Sequence, residues 1–121
     1  MVRTKEGKNQ MISKNIEIVN HLIEDDATGL QQSEITYGDS WKKRGGMGAF
    51  MMLARKWDRI ENVCKTCNYD IFEGIKKDPS QTGIIDDIRD LRAYLFLVES
   101  EMEKNCVIEP KTKRLERGRV I

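Results

Sequence analysis

Apolar side chains recur at helical spacing in three stretches of the chain, and between them the pattern fails. Ile84, Ile88, Leu91, Leu95, Val98 and Met102 form one stripe, which predicts a helix over residues 84–104. Phe50, Leu53, Trp57, Ile60 and Cys64 give another over 48–66, with the cleanest 3-4-3-4 spacing in the chain. Ile12, Ile16, Val19 and Ile23, widened by Met11, Ile18 and Leu22, predict a first helix over 8–25. Glu24, Asp25 and Asp26 then close it, as an acidic corner opposed to the helix dipole. From Ala27 to Met47 four glycines interrupt the pattern, and no alternating run is long enough for a strand. In the connector over 68–83, Tyr69, Phe72 and Ile75 suggest a short helix, which Lys76-Lys77-Asp78-Pro79-Ser80 breaks. The expected fold is all-α: a bundle of three long helices plus a connector helix, without a sheet. One domain is expected over 1–110, followed by a basic tail over 111–121.

Length and composition narrow this picture. A three-helix bundle of 121 residues leaves apolar surface uncovered, and Met47, Met51 and Met52 flank the second stripe. A homodimer or homotetramer is therefore expected. Apolar residues at 39%, charged residues at 34% and a net charge of +1 exclude a disordered chain and a broadly basic nucleic-acid binder. No apolar run reaches membrane-spanning length, and polar residues follow Met1-Val2-Arg3-Thr4-Lys5, so neither a membrane span nor a signal peptide is expected. Three cysteines, an odd number, suit a reducing cytoplasm. Cys64-Lys65-Thr66-Cys67 has no second pair or nearby histidine to complete a zinc site, and His21 has no patterned partner. The tail from Lys111 to Arg119 carries five cations against one acid. It reads as a disordered tail or as an arm that touches a partner subunit or nucleic acid.

The chemistry concentrates in two acid pairs. Asp58 and Glu61 on the second helix, and Asp87 and Asp90 on the third long one, are each spaced i, i+3, which puts both members on one side of a helix. At ~100° per residue, Asp87 lies about 40° from Leu91 and Glu61 about 40° from Trp57, at the margins of the two stripes. Carboxylates turned toward a packing surface are costly to desolvate and repel one another, and a bound divalent cation relieves both penalties. Ahead of the second helix, Tyr37-Gly38-Asp39-Ser40-Trp41-Lys42-Lys43-Arg44-Gly45-Gly46 combines two aromatics with three consecutive cations. Such a loop can hold phosphates, or it can be a solvated basic turn with Trp41 tucked into the core. Glu24 is a further acid that could lean toward the metal.

The order Asp58-x-x-Glu61 … Asp87-x-x-Asp90, followed by Tyr94, resembles the metal-binding ExxE … ExxD pattern of the MazG-like all-α nucleoside triphosphate pyrophosphatases. The segment from Tyr37 to Met102 is similar to small phage dATP/dGTP diphosphohydrolases of the MazZ type. Asp58 and Asp87 stand where that family usually has glutamate. The resemblance implies hydrolysis of a (d)NTP between the α and β phosphates, with purine deoxynucleotides as substrates and Mg²⁺ or Mn²⁺ as cofactor. It implies Glu61 and Asp87 as metal ligands, with Asp58 and Asp90 completing the cage or orienting water. Lys42, Lys43, Arg44, Arg55 and Lys56 would contact phosphates, and Tyr94 would stack on a base or orient a metal-bound water. The location implied is the cytoplasm, the host's if the chain is phage-encoded. Two other readings use the same residues. One is a non-catalytic protein that sequesters a nucleotide signal. The other is a structural bundle whose acids pair with Arg55, Arg59, Arg89 and Arg92.

Overall fold

The computed structural model describes residues 11–76, 83–105 and 108–112. Among the described residues the helices are, in order, α1 (Lys14–Tyr37), α2 (Gly45–Lys65), α3 (Ile71–Lys76) and α4 (Ile84–Lys104), with a 3₁₀ turn at Ser40–Lys42. No strand occurs among the described residues, so the protein is all-α. The chain divides into two compact units, Met1–Ser40 and Trp41–Ile121. Among the described residues no helix is long and apolar enough to cross a membrane.

The first unit is essentially α1, and it differs from the expectation at both ends. Ser13, in an extended conformation, accepts a hydrogen bond from the Ile16 amide at 3.3 Å and starts the helix at Lys14. Met11 and Ile12 precede it, and the earlier start at Lys8 lies outside the described residues. Glu24, Asp25 and Asp26 do not end the helix. It passes through them and through Gly29 to Tyr37, with His21 Nε2 paired to Asp25 one turn on at 3.2 Å. A glycine inside a helix costs only about 1 kcal/mol, too little to stop one of this length. What stops α1 is Gly38, whose φ of 58° few side-chain-bearing residues tolerate and whose N–H donates to the Glu34 carbonyl at 2.8 Å. No residue of α1 is buried.

The second unit is built on the packing of α2 against α4. Lys42 meets Glu101, Lys56 meets Asp90, and Ile60 clusters with Ile84, so the two helices run antiparallel. The core is Ile60, Cys64 and Ile84, with Val63, Ile71, Ile75, Ile88 and Leu91 packed around it. The short α3 closes this end. Its buried Gly74 lies against Val63 and Ile84, where a Cβ would stand 3.4 Å and 3.5 Å from their side-chain carbons. Asn68 and Tyr69 make the turn into α3 at φ of 53° and 63°, and the Tyr69 N–H donates to the Cys64 carbonyl. The expected breaker after Lys76 lies outside the described residues, and of the basic tail only Lys111 and Thr112 are described, both exposed.

Candidate functional site

The face that α2 turns to α4 is not centred on the stripe expected from its sequence. Its buried residues are Ala49, Ile60 and Cys64, with Lys56 between them, whereas Phe50 is exposed and Trp57 is 56% exposed. At ~100° per residue this moves the packed face by roughly 45°. The small side chains of Ala49 and Cys64 sit in the seam, and the bulky aromatics stand at its flank. The shift carries Glu61 to roughly 100° from the centre of the seam and Asp58 further still, onto the outer face.

α4 presents its acids as expected. Asp87 is 3% exposed, a carboxylate inside the helix seam. Its charge is met from α2: Arg59 Nε lies 3.2 Å and Lys56 Nζ 3.8 Å from Asp87 Oδ1. One turn on, Asp90 Oδ2 is 3.0 Å from the same Lys56 ammonium. Desolvating a lone carboxylate here would cost several kcal/mol, and two cations offset that cost. Asp58 and Glu61 share the i, i+3 spacing but not the environment. Glu61 is 43% exposed at its side chain and, among the described residues, pairs only with Lys65, 3.9 Å away on its own helix. Asp58 and Glu61 line an open surface depression with Arg59, Asn62 and Lys65.

Asp87, Asp90, Tyr94 and Glu101 follow one flank of α4, within about 60° of one another. That flank leads to a cleft of about 570 Å³ at the far end of the helix pair. Its walls are mostly apolar: Trp41, Ala49, Phe50, Leu53, Val98 and Met102, with the backbone of Gly45 and Gly46. Lys42, Glu101 and Asn105 supply its polar groups. Lys42 Nζ donates to both oxygens of Glu101 at 3.0 Å, and the Asn105 amide donates to one of them at 3.2 Å. The Lys42 hydrogen bonds hold the Glu101 carboxyl below its usual range against a smaller upward push from desolvation, and the Asn105 bond adds a weaker downward pull.

The residues singled out by sequence therefore fall into groups. Asp87, Asp90 and Lys56 come together, although Lys56 grips acids rather than facing outward as a phosphate contact. Trp41 and Lys42 come together in the cleft. Lys43, Arg44 and Arg55 are exposed, and Tyr94 is half-buried on the flank of α4. Tyr37 is the last residue of α1, in the other unit, as is the exposed Glu24. The sequence reading passed over Glu101 and Asn105, and named Arg59 only as an acid partner in the structural-bundle alternative. Glu101 was within reach of pattern analysis, since it falls three helical turns after Asp90 on the same flank.

A hard divalent cation prefers oxygen donors, but those of Asp87 and Asp90 already face the Lys56 ammonium, with Arg59 beside Asp87. It does not suit the expected set of four, because Asp58 and Glu61 stand on the other side of α2. Among the described residues no three His, Cys, Asp or Glu side chains gather closely enough to hold a metal ion. No family model matches the chain, and neither a curated protein nor a solved structure matches it.

Proposed function

We propose that the chain is a nucleoside triphosphate pyrophosphohydrolase of the MazG-like kind. It would require Mg²⁺ or Mn²⁺ and release a (d)NMP and pyrophosphate, with dGTP or dATP as substrate in phage nucleotide metabolism. The observation that carries this reading is Asp87, a buried carboxylate in the α2–α4 seam with Asp90 one turn on. Buried acids matched to cations on a path to a cleft are a frequent mark of a working site. The cleft supports the reading from the other end: Trp41 and Phe50 offer faces for a flat base, and Asn105 offers an amide to its edge. From Val98 in the cleft to Asp90 is eight residues, ~12 Å along α4, a length that a nucleoside triphosphate spans.

The same reading includes a homo-oligomer. Met47, Phe50, Met51 and Trp57 form a second, exposed apolar face on α2, and Asp58 and Glu61 lie on it. The test of function is to incubate the protein with each NTP and dNTP plus Mg²⁺ or Mn²⁺ and to identify the products. Monophosphate with pyrophosphate is the expected outcome. Tight nucleotide binding without any product would favour sequestration instead.

A second reading has its own observation. The pairs Arg59–Asp87 and Lys56–Asp90 join α2 to α4 without any ligand, as a purely structural bundle would. In that case neither nucleotide nor Mn²⁺ changes the melting temperature.

A further inference from the structure

α2 ends in a pair of thiols that the proposed function does not use. Cys64 is buried in the core beside Ile60 and Ile84, and Cys67 follows three residues on, partly exposed; both are free thiols. In a regular α-helix the Cys67 N–H would reach the Val63 carbonyl, four residues back. Here the last turn is wound tighter. The Thr66 N–H donates to the Val63 carbonyl at 3.1 Å and the Cys67 N–H to the Cys64 carbonyl at 3.0 Å, which is the hydrogen-bond pattern of a 3₁₀ turn. Side chains three residues apart eclipse in such a turn, and its rise of ~2.0 Å per residue sets their Cα atoms about 6 Å apart. A disulfide spans about 4.4–6.8 Å between Cα atoms. The chain beyond holds the turn in place: Asn68 and Tyr69 take left-handed φ values of 53° and 63°, and the Tyr69 N–H also donates to the Cys64 carbonyl, at 2.8 Å.

We infer that Cys64 and Cys67 are a reversible dithiol switch, closed by a small disulfide oxidant of the glutathione type. Cys67, the more exposed thiol, gives up its proton and attacks one sulfur of the oxidant. The oxidant's S–S bond breaks, a mixed disulfide forms on Cys67, and the departing thiolate takes a proton. Cys64 then gives up its proton and attacks the Cys67 sulfur, and the second thiol leaves in the same way. Two protein thiols are oxidised and one oxidant disulfide is reduced to two thiols. Thr66 donates its hydroxyl proton to the Val63 carbonyl at 2.7 Å, so at 3.5 Å it offers Cys67 Sγ a weak, accepting contact that oxidation can give up. The closed form ties the end of α2 at the point where the chain turns into α3, whose Ile71 and Ile75 pack on the Cys64 cluster. In the open form that junction is held by packing and backbone hydrogen bonds. The switch does not depend on the pyrophosphohydrolase reading.

The full chain is equilibrated with mixtures of reduced and oxidised glutathione, in buffer and in urea that unfolds it, then quenched with acid, alkylated and digested with trypsin. Cleavage after Lys65 puts Cys64 and Cys67 on separate peptides, so a bond between them appears as a linked pair, distinct from a pair with Cys106 or with glutathione. Because the fold presents the two thiols to each other, the linked pair is expected to form about tenfold more favourably in the native protein than in urea. Oxidation is then expected to raise the melting temperature, and Cys67→Ser, which leaves the buried Cys64 in place, is expected to lose that rise. A native protein oxidised no more readily than the unfolded chain overturns the inference. So does glutathione on Cys67 with no linked pair, or a melting-temperature rise that Cys67→Ser retains.

Discussion

Asp87-x-x-Asp90 on α4 and Asp58-x-x-Glu61 on α2 have the same spacing and opposite fates. The first pair lies along the seam, one member buried and both gripped by Lys56. The second stands away from the seam, Asp58 on the outer face and Glu61 at the side, where among the described residues Glu61 pairs only with Lys65. The i, i+3 spacing guarantees that two carboxylates share a side of a helix, but not that this side faces the neighbouring helix. The facing side of α2 is chosen by volume. Ala49 and Cys64 occupy the contact, and the aromatics Phe50 and Trp57 are left at its flank, with Glu61 and Asp58 further round the helix.

The sharpest way to break this contrast is to neutralise one acid of each pair. Asp87→Asn strands the half-buried Lys56 and Arg59 opposite an amide. Breaking a buried pair costs about 3–5 kcal/mol, and exposure of Arg59 lowers the expectation here to roughly 2–3 kcal/mol. Urea melts of the metal-free protein measure it. Glu61→Gln should change stability by less than about 0.5 kcal/mol, because its carboxylate is open to water and its one partner is a surface lysine. Equal losses for the two would mean that α2 is turned the other way, with Glu61 in the seam. On the proposed function Asp87→Asn abolishes turnover while Glu61→Gln retains it, because Glu61 stands away from Asp87 and Asp90; a folded but inactive Glu61→Gln enzyme would bring Glu61 back into the site.

Asp90→Asn falls between these two. Asp90 is half-exposed and shares Lys56 with Asp87, so about 1 kcal/mol is expected. The double variant Asp87→Asn/Asp90→Asn should cost less than the sum, since one ammonium serves both acids. Strict additivity would show that Lys56 holds only one of them.

How much of this was legible in the sequence follows from which residues decide it. The apolar stripe of α4 has one strong face, and its start and end at Ile84 and Lys104 match the structure. α2 is bounded almost as well, but it has two apolar faces, Ala49-Leu53-Ile60-Cys64 and Met47-Phe50-Met51-Trp57. Hydrophobicity cannot rank them; packing against a particular neighbour does. That is why the seam takes in Asp87, as its stripe suggests, and leaves Glu61 at the side. A charged Lys56 inside the seam is also invisible to periodicity, since its role depends on acids some 30 residues away in sequence. In α1 the acidic triplet and Gly29 were each unfavourable locally, and neither outweighs the hydrogen-bonded turns on both sides. The glycine that does end the helix is marked by its positive φ, which composition alone does not reveal.

The smallest expected effect concerns a third carboxylate of α4, Glu101, gripped by a cation like Asp87 but at the edge of an open cleft. Lys42 donates to both of its oxygens, and chiefly for that reason its carboxyl titrates below the usual range. A carboxylate whose folded pKa is depressed contributes stability that is fully present above its unfolded pKa. That contribution is lost as pH falls from the ordinary Glu range through the lowered folded value. At pH 7 wild type should therefore be slightly more stable than Glu101→Gln, and the difference should shrink to nothing in strong acid. Lys42→Met should abolish the same pH dependence and return Glu101 to ordinary titration, which carboxyl-carbon chemical shifts in a pH series would follow. If Glu101 titrates normally in the wild type, the Lys42 clamp is not populated in solution. The comparison then sharpens to burial alone: a cation counts on this helix only where, as at Asp87, water is kept away.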